Sequence, residues 1–132
     1  MDEKDKKKAL RQLRKEYKTA STKKEKEEIL AKLAELATTF KNCINIAVLA
    51  TQGEISTPKA VITKMSDLAK TFAECSHAFR LASWSGNIGA AMTALGKISH
   101  MCEERKLKPS QKKLYYGMSA WADSLSGKMP NA

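Results

Sequence analysis

Five cations near the start of the chain share one spacing. Lys4, Lys8, Arg11, Lys15 and Lys18 step four, three, four and three residues. On a helix of 3.6 residues per turn they form one stripe, roughly 150° from the apolar stripe of Leu10, Leu13 and Tyr17. Asp5 and Glu16 are expected off that stripe. Cations about 5–6 Å apart along a helix can meet successive phosphates of a nucleic-acid backbone. Each neutralised phosphate releases counterions, so such binding is tight at low salt and falls steeply as salt rises. Two other readings compete. One is a solvated bundle face; the other is a basic helix lying on an anionic membrane, which the single aromatic residue on the apolar side disfavours.

A second cluster, Arg105, Lys106, Lys108, Lys112 and Lys113, combines a loop with the start of a helix. Ser110 is the expected N-cap, and the helix dipole would assist anion binding there. Lys112, Lys113 and Tyr116 fall on one helix face, where Tyr116 is placed to stack on a base. The alternative is a loop of merely exposed lysines with Tyr116 at the core edge.

Other groups are weaker candidates. Cys75-Ser-His77 and His100-Met-Cys102 present four zinc-ligand types, but residues i and i+2 on a helix point about 200° apart, so no metal is expected. No oxyanion loop supports a Cys–His nucleophile, and Ser85-Gly86-Asn87-Ile88-Gly89 lacks both the spacing and the strand of a phosphate loop. The chain is therefore read as non-enzymatic, with no cofactor and no small-molecule substrate. Trp121 lies on an apolar stripe and is assigned to the core. Trp84 falls in a turn beside Arg80, where it caps the bundle or marks a protein interface.

These groups sit on a chain of 132 residues with a net charge of +10. The excess lies at the ends. Residues 1–28 carry 11 Lys+Arg against 7 Asp+Glu, residues 29–104 carry 7 against 6, and residues 105–132 carry 6 against 1. Basic ends around a nearly neutral middle favour a polyanionic partner. The three cysteines, Cys43, Cys75 and Cys102, are odd in number and widely spaced, as expected of reduced thiols in a cytoplasmic protein. The charged start is not a secretory signal, and no window approaches the 18 or so apolar residues of a membrane span.

The positioning elements read as helices throughout. Helix one covers about residues 3–19. Thr22 with Glu25 has capping-box spacing and opens a long helix over 23–50, whose apolar positions step three and four without a break. Thr57-Pro58 opens a helix over 58–82. A helix over 87–104 is rich in Gly and Ala. Those small residues admit close neighbours, which places it at the centre of the bundle. The last helix spans about 111–126, and residues 127–132 are expected to fray. No internal repeat stands out. The expected architecture is one all-α domain of about five helices, with 1–22 as a basic amphipathic helix able to project and 23–126 as the core. The N-terminal helix or hairpin is suited to pairing with a second copy. The sequence thus points to a nucleic-acid-binding protein that contacts phosphates, the DNA or RNA target being undetermined. A helical protein-interaction module or assembly subunit is the alternative.

Overall fold

The computed structural model describes residues 2–125, and the expected fray at 127–132 lies outside them. The described residues are all-α, with seven helices and no strand. They are α1 (Glu3–Thr19), α2 (Lys23–Leu36), α3 (Phe40–Gln52), α4 (Lys59–Leu68), α5 (Phe72–Trp84), α6 (Ile88–Glu103) and α7 (Pro109–Leu125). Contacts divide the chain into an N-terminal unit, Met1–Met65, and a C-terminal unit, Ser66–Ala132, with α4 running across the division.

The count is seven rather than five because both long helices are interrupted. The 23–50 span breaks at residues 37–39 and the 58–82 span at 69–71. Each break is a capping box. The Thr39 hydroxyl accepts the Asn42 N–H while Asn42 Oδ1 accepts the Thr39 N–H. The Thr71 hydroxyl and Glu74 reciprocate in the same way. A capping box satisfies two N–H groups that a helix start otherwise orphans, so it ends one helix and begins the next without Gly or Pro.

The two breaks share a sequence. Leu36-Ala37-Thr38-Thr39-Phe40-Lys41-Asn42-Cys43 matches Leu68-Ala69-Lys70-Thr71-Phe72-Ala73-Glu74-Cys75 at five of eight positions, offset by 32 residues. A lysine completes each. Lys64 Nζ donates to the carbonyls of Ala34 (2.6 Å) and Ala37 (3.0 Å) at the end of α2. Lys97 Nζ donates to those of Asp67 (2.6 Å) and Ala69 (2.9 Å) at the end of α4. A cation on the last carbonyls of a helix offsets its dipole and satisfies orphan acceptors. This repeat corrects the expectation of none. Caps and a lysine from a later helix carry it, and hydrophobic period does not record either.

Helix ends repeat a second device. The chain after α3, α5 and α6 turns through a left-handed residue, at Glu54 (φ 55°), Gly86 (φ 74°) and Arg105 (φ 59°). In each case the next N–H reaches back to the helix: Ile55 to Ala50, Asn87 to Ala82 and Lys106 to Met101. This Schellman pattern favours glycine, and only α5 has one.

In the N-terminal unit α1 packs on α2 as a hairpin, and α2 packs on α3. Leu10, Tyr17, Leu30, Leu33, Cys43, Ile46 and Val61 are buried. The Tyr17 hydroxyl donates to the Leu49 carbonyl at 2.7 Å and ties α1 to α3. Gly53 makes room for it, since a Cβ there would overlap Tyr17 Oη. In the C-terminal unit α6 packs against both α5 and α7, the central place its composition suggested. The reason lies in its alanines. Ala90, Ala91 and Ala94 are buried, whereas Gly89 and Gly96 face outward, and a Cβ at Gly96 would meet nothing.

Candidate nucleic-acid interface

The α1 stripe forms because α1 is amphipathic and anchored on its opposite face. Asp2 caps its start, its side chain accepting the Asp5 N–H at 2.9 Å. Leu10 and Tyr17 are buried beneath. Lys4, Lys8, Arg11, Lys15 and Lys18 are all exposed. None of the five is in an ion pair among the described residues. Lys8, Arg11 and Lys15 border one shallow depression of about 490 Å³, together with Gln12 and Asp5. Asp5 was expected off the stripe. Placed three residues before Lys8, it borders the same depression and moderates its potential.

The second cluster is dispersed. Arg105 takes the left-handed turn after α6, and Lys106 follows it. Glu104 pairs with Lys106 at 3.3 Å, which offsets part of the local charge, and its other carboxylate oxygen lies 2.9 Å from His100 Nε2. Lys106 and Lys108 border an open groove of about 780 Å³ that also contains Phe72, His100 and Gln111. Lys97 borders it too, but its ammonium is held by the α4 carbonyls. The start of α7 is closed to an anion at one position, because the Lys108 N–H donates to Gln111 Oε1 at 2.9 Å. The cap thus falls at Lys108, with Pro109 the first helical residue, rather than at Ser110.

Lys112 is half-buried, while Lys113 is exposed on a different groove. That groove holds about 710 Å³ between α5 and α7, floored by Phe79, Leu114, Met118 and Trp121 and edged by Arg80 and Lys113. Trp121 keeps 40% of its surface exposed and meets Phe79 edge-on at 5.8 Å, so it lines the groove rather than filling the core. Tyr116 is 61% exposed, with its ring 5.5 Å from that of Tyr115. Tyr115 is fixed by its hydroxyl on Ser99 Oγ at 3.0 Å. A supported, open Tyr116 ring keeps one face for stacking. Trp84 is 91% exposed and caps nothing.

The thiols are separated by depth. Cys43 and Cys75 are fully buried, and burial pushes both above the ordinary thiol range, partly opposed by Lys64 and Lys97 respectively. Cys102 is half-buried. Among the described residues no three His, Cys, Asp or Glu side chains gather as a metal site, and no helix is long and apolar enough to cross a membrane.

Sequence reading missed a further set of cations. Lys7, Arg11 and Arg14 border a crevice of about 180 Å³ with Asn42 and Asn45 of α3. Their four-then-three spacing was a usable signal; the facing α3 residues were not. The chain matches no family model, and no curated protein or solved structure shows significant similarity to it.

Proposed function

We propose that this chain is a non-enzymatic nucleic-acid-binding protein that engages the phosphate backbone chiefly through α1. One observation carries the reading: five cations lie exposed, and without an ion pair among the described residues, on one face of a helix whose other face is fixed by Tyr17. Charges set on a fixed helix lose little backbone freedom on binding, so only their side chains have to be ordered. Contacts of this kind position a nucleic acid without reading its bases.

The test is a fluorescence-polarisation titration of nuclease-treated protein with single- and double-stranded DNA and RNA. Arg11→Glu with Lys15→Glu is expected to abolish binding at moderate salt while leaving the helical circular-dichroism spectrum intact. Unchanged affinity in that variant rejects the α1 interface.

The α5/α7 groove favours a second reading, a protein-interaction module. Its floor is apolar, its edges are Arg80 and Lys113, and no carboxylate among the described residues borders it. That combination suits an acidic amphipathic helix laid into the groove. Affinity for such a partner would survive 0.5 M salt, whereas phosphate binding would not.

A further inference from the structure

The crevice between α1 and α3 differs from the open face beside it. Lys7, Arg11 and Arg14 approach it from α1, and Asn42 and Asn45 from α3. Its floor is Leu10, Leu33 and Ile46, each at least nine-tenths buried. No carboxylate among the described residues borders it.

The amides decide what the crevice accepts. Asn42 Oδ1 is committed to the N–H groups of Thr38 (3.2 Å) and Thr39 (3.3 Å). The capping box therefore fixes which way the amide points, and only its NH2 remains to donate. Asn45 has no partner among the described residues. Three cations and an amide NH2 are donors with no acceptor among them, and the Asn45 amide can turn its own NH2 inward. A donor-only lining selects an acceptor-rich anion. The volume lies below the roughly 300–1,000 Å³ of a small-molecule site, which suits one anionic group better than a whole nucleotide. Arginine forks match the oxygens of phosphate.

We infer that this crevice is a phosphate pocket, in which Lys7, Arg11 and Arg14 hold the charge and the Asn42 and Asn45 amides donate to the oxygens. Assigning that phosphate to a nucleic acid rests on the reading above; the pocket itself does not. Arg11 borders both the crevice and the exposed depression. A strand lying along α1 would then deliver one of its phosphates to the crevice.

The experiment follows the Asn42 and Asn45 side-chain amide resonances of the full ¹⁵N-labelled chain. Inorganic phosphate is titrated against chloride at equal ionic strength. One oligonucleotide sequence is then added with a 5′-phosphate and with a 5′-hydroxyl. Both amides should shift saturably with phosphate and not with chloride. Arg14→Gln and the nearly isosteric Asn45→Asp should each weaken phosphate binding tenfold or more, and the exposed control Lys59→Gln should not. A response to the 5′-phosphate strand alone assigns the pocket to terminal phosphates; equal responses assign it to the backbone. Shifts with inorganic phosphate and with neither strand uphold the pocket and reject the assignment of its phosphate to a nucleic acid. Amides that respond to phosphate no more than to chloride overturn the pocket.

Discussion

The two basic ends carry similar net charge and present it differently. In the N-terminal unit the five stripe cations of α1 sit on one anchored helix, exposed and without ion pairs among the described residues. In the C-terminal unit Arg105–Lys113 spread over a loop and two separate grooves, and Glu104 offsets Lys106. Net charge per segment counts ions; helical period decides which of them act together. A single regular helix turns a four-three spacing directly into a row. A loop followed by a helix start does not, because each residue leaves the backbone in its own direction.

The largest expected effect breaks this comparison most simply. Reversing Arg11 and Lys15 to Glu should cost nucleic-acid affinity about a hundredfold or more, since each lost phosphate contact also removes a counterion-release contribution. Reversing Lys106 and Lys108 should cost under tenfold. Equal losses in polarisation titrations would show that the dispersed cluster counts as much as the row.

Glycines make the same contrast in stability. At Gly53→Ala the new Cβ displaces Tyr17 from Leu49, and overpacking of this kind costs about 1–3 kcal/mol. Gly96→Ala meets open space within α6, and it should stabilise by roughly 0.5–1 kcal/mol through helix propensity alone. Urea denaturation of both variants measures the two signs. Arg105→Gly relieves a left-handed residue and should gain about 1 kcal/mol in the same assay.

Thiol labelling separates the cysteines. Cys102 should react with a disulfide reagent within minutes, and Cys43 and Cys75 only when their regions open. Prompt labelling of all three would mean that the buried repeats are loosely held.

The smallest effect is on pH dependence. Burial raises the phenol of Tyr17 and the thiols of Cys43 and Cys75 above their ordinary values. A raised value favours the protonated form in the fold. The stability these groups add is therefore complete at neutral pH and lost as pH climbs past the ordinary thiol and phenol ranges. Melting temperature should fall on the alkaline side, and Tyr17→Phe should shrink the part of that fall due to the phenol.

Much of the fold was legible in sequence. The α1 boundaries, the Thr22–Glu25 cap and α6 follow from local period and capping residues, and the structure places them there. The breaks before α3 and α5 were not read. Leu33, Ala37 and Phe40 continue the apolar spacing straight through the first, and a count of spacing cannot see the turn. Thr39-x-x-Asn42 and Thr71-x-x-Glu74 were the available signals. The row on α1 was legible because it lies within one helix. The crevice was not, because Asn42 and Asn45 reach Lys7 and Arg14 only after the chain has turned back twice. The lysine caps were hidden for the same reason: Lys64 and Lys97 act on carbonyls about 30 residues earlier.

A row of α1 cations that binds a nucleic-acid backbone makes affinity fall steeply with salt, and the salt dependence of binding is the decisive measurement. If all five residues neutralise phosphates of a duplex, log K against log[salt] should fall with a slope near −4.5, about a five-hundredfold loss over a fourfold rise in salt. Fewer contacts give a proportionately shallower line. A slope near zero, or no binding at the lowest salt, would contradict the account.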